Sequence, residues 1–277
     1  ARIDLVVLSP GVPTDLPMVN ELRNRQIPIW GEIELAYHFA KGRIIAITGT
    51  NGKTTTTSLV GEIMANYFDD VKVVGNIGIP YTSVAADTTE DTVTVAEISS
   101  FQLETTHEFA PEVTAILNIT PDHLNRHHTM ECYIETKESI TKNQTAGDTC
   151  VLNYEDEVLR RFGGTLQTKV VFFSSKRRLE KGLYLDGEET RQVFEGDGEE
   201  YYRFTYSTRR VGEKVLDILV PIMATCYFVI TLFIIIKNVT LLPSVFARIF
   251  EEAFGIRQAV AGGFGAILMN GVKRGLF

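Results

Sequence analysis

Up to about residue 200, short apolar runs alternate with stretches in which apolar side chains recur every three or four positions. That alternation predicts strand–helix–strand units around a parallel sheet. Strands are expected at 5–8, 27–30, 43–48, 71–74, 92–96, 113–118, 149–153 and 169–173, and helices at 18–25, 32–39, 53 to about 67 and 130–143. In the third helix Leu59, Val60, Ile63, Met64 and Tyr67 share one face. Ser9-Pro10-Gly11-Val12-Pro13 reads as a turn, and the pairs Asp186-Gly187 and Asp197-Gly198 punctuate an acidic β-hairpin region. The predicted fold class is α/β: a mostly parallel phosphate-loop sheet followed by an α-helical, membrane-like tail.

The tail changes the pattern. Positions 218–236 are 19 uncharged residues flanked by Asp217 and Lys237, a length that just spans a bilayer as a helix. Pro221, Thr225 and Thr231 are tolerated in such helices; a buried core helix is the competing reading. A second, less apolar segment at 259–272 carries the small residues Ala261, Gly262, Gly263, Gly265 and Ala266, which allow close helix packing. Charge divides at the same place. Residues 208–277 hold eight Lys/Arg against four Asp/Glu, a net of +4, so the total of −8 leaves −12 for residues 1–207. That acidity argues against nucleic-acid binding. With 44% hydrophobic and 22% charged residues, disorder and a small disulfide scaffold are excluded. Cys132, Cys150 and Cys226 form no C-x-x-C pair, and their odd number suits a reducing compartment with free buried thiols. The first residues lack an initiator Met and a signal-peptide pattern, and read as if the chain opened inside a strand, which suggests a fragment.

The strongest chemical signal is Gly49-Thr50-Asn51-Gly52-Lys53-Thr54-Thr55, between an apolar strand and an amphipathic helix. In that setting loop amides and a helix N-terminus converge on an anion. A Lys adds a point charge for the β- and γ-phosphates, and a Thr hydroxyl can ligate Mg²⁺. The general phosphate-loop spacing wants glycine at 47, where this chain has Ile47, so the loop is a shortened G-x-x-G-K-T form.

Three more residues fall where a nucleotide site in such a sheet needs them. Glu97 ends a strand and should emerge at its carboxyl edge. His123 follows the next strand through Ile119-Thr120-Pro121-Asp122; the alternative is a loop histidine capping a backbone group. The His123–His127 spacing resembles a metal pair, but D-H-L-N-R-H is not the zinc-protease pattern. Lys137 lies on the same stripe as Met130, Tyr133, Ile134 and Ile140. A lysine there either snorkels to solvent or has a lowered pKa or a covalent modification that serves a metal or phosphate.

The strings GTNGKTTTTSLVGEI from Gly49, GNIGIP from Gly75, AEISSFQLE from Ala96 and LNITPDHLNRH from Leu117, with the helix bearing Lys137, resemble the Mur ligases over about residues 1–204. SPGVP from Ser9, GEIELAY from Gly31 and the SSFQLET form resemble the D-glutamate-adding branch. The resemblance implies an ATP-dependent amide ligase of peptidoglycan synthesis, cytoplasmic and monomeric, acting on UDP-N-acetylmuramoyl-L-alanine and D-glutamate. The muramoyl-peptide carboxylate attacks the γ-phosphate, and the amine of D-glutamate displaces the resulting acyl phosphate. It implies that Lys53 and the loop from Gly49 to Thr55 hold the ATP phosphates, and that Thr54 and Glu97 ligate one Mg²⁺. It also implies that Lys137 is carbamylated and binds a second Mg²⁺ with His123, and that Ser9, Asn76 and Ser99 approach the muramoyl substrate. Residues 1–40 would end a UDP-binding domain and 41–207 form a truncated ATP-binding domain.

From residue 208 the wording changes. GEKVLDILVPIMA, NVTLLPSVFARIFEEAFG and AGGFGAILMNGVKRGLF resemble the alanine/glycine:cation symporter family. No binding residue is implied there, because the stretch covers a minority of a transporter's helices. The two resemblances together predict a chimera joined near 204–210, an incomplete and inactive ligase that keeps ATP binding. A membrane-transport component is the alternative.

Overall fold

β1 (Val6–Leu8) and β2 (Ile29–Gly31) pair in parallel as a small sheet, with α1 (Pro17–Asn24) between them in sequence. Leu8, Val19 and Ile29 form its own small core. The computed structural model describes residues 2–186, 189–193 and 204–205. α2 (Glu32–Phe39) follows β2 and turns its apolar side elsewhere: Ile33 and Ala36 lie in the core of the main sheet.

That main sheet is built from β3 (Arg43–Thr48), β4 (Val71–Gly75), β5 (Val93–Glu97), β6 (Val113–Ile116), β7 (Thr149–Asn153), β8 (Lys169–Ser174), β9 (Gly182–Asp186), β10 (Glu189–Val193) and β11 (Phe204–Thr205). Among the described residues its spatial order is β11-β10-β9-β8-β7-β6-β3-β5-β4. Every pairing from β4 across to β9 is parallel, and β10 and β11 add on antiparallel. Parallel strands need both faces covered, which explains why Ile44 to Ile47 are all buried. α3 (Lys53–Ala65) leaves β3 toward β4 at one edge, whereas the chain leaves β6 toward β7 on the other side. Such a reversal opens a crevice at the carboxyl ends of β3 and β6.

The strands match the predicted runs to within a few residues, and β9 and β10 form the expected hairpin, Asp186 facing Glu189. The second Asp-Gly pair and the apolar segments at 218–236 and 259–272 lie outside the described residues. Among the described residues no helix is long and apolar enough to cross a membrane.

Several expectations are corrected. α6 (Met130–Glu138) is shorter than the predicted 130–143, because the chain tightens into a 3₁₀ turn at Ser139–Thr141. α3 stops at Ala65, so Tyr67 falls beyond the stripe and is only half-buried. β6 ends at Ile116, two residues early, because Asn118 turns to meet the loop after β3. α4 (Ser100–Leu103), α5 (Leu124–His127) and α7 (Glu157–Gly163) were not predicted, being too short for a helical period to show. Cys150 is buried as expected, its thiol pushed up to about 12 by burial, but Cys132 is exposed on the outer side of α6. Cys226 lies outside the described residues.

Candidate active site

The loop after β3 is as short as its sequence suggests. Ile47 sits inside the strand, opposite Glu97 on β5 and Ala115 on β6, so glycine has no role at 47. Gly49 leaves the strand, and Gly52, at φ 82°, caps α3 in the left-handed region that favours glycine. The first-turn amides of Lys53, Thr54 and Thr55 have no intrahelical acceptor and point out of the N-terminus of a 13-residue helix. Thr54 is exposed there and Thr55 half-buried.

Not every loop amide is open. Thr50 N–H donates to the Asn118 carbonyl at 2.9 Å, and Asn51 N–H to Asn118 Oδ1 at 2.9 Å. Asn118 Nδ2 returns a bond to the Asn51 carbonyl at 3.0 Å. The Thr50 hydroxyl lies 3.1 Å from the Thr120 carbonyl and 3.1 Å from the Tyr133 hydroxyl. Of the seven expected loop residues, Thr50 and Asn51 therefore spend their amides inside the protein.

Lys53 folds back on its own loop, its Nζ donating to the carbonyls of Gly49 and Thr50 at 2.9 Å each. Burial lowers its pKa, against the opposing pull of Glu97 and Asp122. Lys137 decides between its two readings: it is 1% exposed, so it does not snorkel. Its Nζ donates at 2.8 Å to the same Gly49 carbonyl and sits 4.8 Å from the centre of the Tyr133 ring. Burial, with the Lys53 charge adding, pulls its pKa down to about 7, and Asp122 opposes. A half-buried and a buried lysine thus share one acceptor oxygen.

Glu97 is 1% exposed at the end of β5. Its Oε1 accepts from Asn76 Nδ2 at 2.8 Å, and its backbone carbonyl from Asn76 N–H at 2.8 Å. Gly75, at φ 108°, makes this approach possible: a Cβ there would lie 2.2 Å from the Glu97 carbonyl oxygen. Glu97 Oε2 is buried and has no hydrogen-bond partner.

His123 is half-exposed at φ 51°, its ring tilted against Phe101 at 5.0 Å and its Nε2 3.5 Å from Asp122. His127, which shares its apparent metal spacing, is buried and lies 2.9 Å from the Ser100 hydroxyl, so the two do not act as a pair. Ser99 N-caps α4 in a capping box with Gln102. Ser9 is exposed in its turn, and that turn is tied to the site: Arg126 donates to the Val12 carbonyl at 2.8 Å while holding Glu104. Asn118, Asp122, Tyr133 and Arg126 escaped the sequence reading. Asp122 alone gave a signal, as a carboxylate next to a candidate histidine.

A parallel sheet with a short phosphate loop at its switch point, flanked by a buried acid, a buried lysine and the half-buried lysine of the loop itself, defines a phosphate-loop α/β protein. The comparisons carry this further. A family model described as the Mur ligase middle domain matches residues 47–215, and the chain belongs to the Mur ligase family. Residues 206–277 match the sodium:alanine symporter family. The UDP-N-acetylmuramoylalanine–D-glutamate ligase of Lachnoclostridium phytofermentans is 65% identical over 185 residues, covering 67% of this chain and 41% of that protein. That of Clostridioides difficile is 54% identical over 185 residues, covering 66% and 41%. The chain therefore spans about two fifths of the length of these curated relatives. Among solved structures, the UDP-N-acetylmuramate:L-alanyl-gamma-D-glutamyl-meso-diaminopimelate ligase from Neisseria meningitides matches with TM-score 0.54 at 14% identity, covering 82% of this chain and 74% of that one. The MurF ligase from Thermotoga maritima in complex with ADP matches with TM-score 0.51 at 18% identity, covering 82% and 61%. These two show the shared fold.

Proposed function

We propose that residues 41–207 bind ATP for an amide ligase that adds D-glutamate to UDP-N-acetylmuramoyl-L-alanine in the cytoplasm. The observation that carries this reading is the convergence on one sheet edge of the Gly49–Thr55 loop, the buried Glu97 and the buried Lys137. The open amides of α3 and the Lys53 ammonium receive the phosphates and offset the charge that builds on the transferring phosphoryl group. The muramoyl-peptide carboxylate takes the γ-phosphoryl group, and the D-glutamate amine then displaces phosphate from the acyl phosphate. Asn76, Ser99 and the Ser9 turn face the muramoyl substrate in this reading. Residues 1–40 end a UDP-binding unit, and α2 serves both units because it packs into the main core.

Mg²⁺ fits the acidic group: a buried carboxylate oxygen without a partner suits a hard cation. Among the described residues no three His, Cys, Asp or Glu side chains converge on a metal site, so Glu97 would hold the ion together with Thr54 and with oxygens of water and phosphate. A second ion would be held by His123 and by Lys137, the latter as a carbamate. Bound there, Mg²⁺ neutralises phosphate charge. The test is calorimetric titration of the whole chain with ADP, with and without Mg²⁺. Wild type is expected to bind about tenfold more tightly with Mg²⁺, and Glu97→Gln to lose that difference. An undiminished Mg²⁺ effect in Glu97→Gln counts against the assignment.

For residues 208–277 the symporter match favours a different reading, a transporter-like segment that inserts at 218–236. The full chain is then expected to stay with membranes through alkaline carbonate extraction, and Phe228→Arg with Ile230→Arg to release it. Release of the unsubstituted chain would reject insertion.

A further inference from the structure

We infer that Asn118 is the positioning residue of the phosphate loop, and that the amides of Thr50 and Asn51, which it engages, are withheld from the phosphates. The inference rests on the nucleotide reading above and deepens it. Asn118 follows β6, directly across the crevice from the loop after β3. Leu117 N–H donates to the Thr48 carbonyl at 3.0 Å, which keeps the two chains side by side past the end of the strands. The Asn118 carboxamide then grips both faces of Asn51, accepting from its N–H at 2.9 Å and donating to its carbonyl at 3.0 Å. Its backbone carbonyl takes the Thr50 amide.

A loop of four residues between a strand and a helix has several backbone solutions, and only some aim the first-turn amides at a common point. Holding both polar groups of one residue removes most of that freedom before any ligand arrives, so a phosphate need not order the loop. An asparagine is the side chain that can do this, because it presents a donor and an acceptor side by side. Aspartate has the same shape but only accepts, and would set a carboxylate against the Asn51 carbonyl and close to the phosphates.

The whole chain is titrated with ADP–Mg²⁺ and, separately, with inorganic pyrophosphate, as wild type, Asn118→Ala and Asn118→Asp; thermal melting reports the fold. Affinity for both ligands is expected to fall by the same factor, about tenfold in Asn118→Ala and further in Asn118→Asp. Hydrogen exchange at the Asn51 amide should speed up in Asn118→Ala. Wild-type affinity in both variants overturns the inference, as does a loss confined to ADP, which would place the effect away from the phosphates. If Asn118→Ala does not melt cooperatively, the isosteric Asn118→Asp decides by the same criteria. A wild-type chain that binds neither ligand removes the nucleotide reading and this inference together, whereas binding that the variants leave unchanged removes the inference alone.

Discussion

Lys53→Ala is expected to weaken ADP–Mg²⁺ binding on the order of a hundredfold without lowering the melting temperature. The two halves of that result have separate causes. The Lys53 ammonium has three donors; two reach the carbonyls of Gly49 and Thr50, and one is left for a phosphate oxygen. Charge-assisted bonds of this kind in a partly desolvated site are worth about 1.5–3 kcal/mol each. Stability behaves differently because Lys53 and Lys137 share the Gly49 carbonyl, and the Lys53 charge helps to push the Lys137 pKa down. With Lys137 unmodified, removing Lys53 relieves that repulsion and offsets the two lost loop bonds. Titration calorimetry and a melting curve on the same sample check both halves. ADP affinity equal to wild type would sink the phosphate-loop assignment, and a large drop in melting temperature would show that the loop needs Lys53 to hold its shape.

Glu34→Gln is expected to destabilise the protein by about 3 kcal/mol at pH 7. Glu34 is 0% exposed on α2, yet its carboxylate is saturated. Oε2 accepts from the amides of His107 and Phe109 at 2.8 and 3.2 Å, and Oε1 from the amide of Glu108 at 2.8 Å. A carboxamide keeps one acceptor oxygen and turns its NH₂ against an amide that is itself a donor, so at least one buried N–H loses its partner. Burial alone would raise the pKa of Glu34, but the three amides outweigh it and the net shift is downward from 4.5. The sign follows: the unfolded chain binds this proton more readily, so the contribution is complete above about pH 4.5 and is lost as pH falls through the folded value. Urea unfolding from pH 7 downward should show the wild-type advantage over Glu34→Gln shrinking in that acidic window. An advantage that stays constant into strong acid would mean that the carboxylate charge is not what holds 107–109.

Much of the site was legible because it is contiguous. The string from Gly49 to Thr55 carries its strand, turn and helix start in neighbouring residues, and Glu97 announces itself by ending an apolar run. The residues that escaped act across long sequence gaps. Asn118 grips Asn51 from 67 positions away, and Glu34 reaches Phe109 over 75. Neither carries a local pattern, since a lone Asn after a strand or a Glu within an amphipathic helix is ordinarily a solvated residue. The hairpin of β9 and β10 was legible through the Asp186-Gly187 pair in the sequence, but the docking of β9 in parallel beside β8 was not.

By itself the sequence determined the alternation of strands and helices, the phosphate loop and the face of α6 on which Lys137 lies, because these depend on periods of two or 3.6 residues and on local turn chemistry. What that face meets was decided only in three dimensions. Placing β6 beside β3 carries α6 over the loop, so Lys137 loses its route to solvent and finds the Gly49 carbonyl and the Lys53 charge instead. Periodicity assigns a residue to a face, whereas strand order assigns that face its neighbours, and the perturbed lysine is a property of the neighbours.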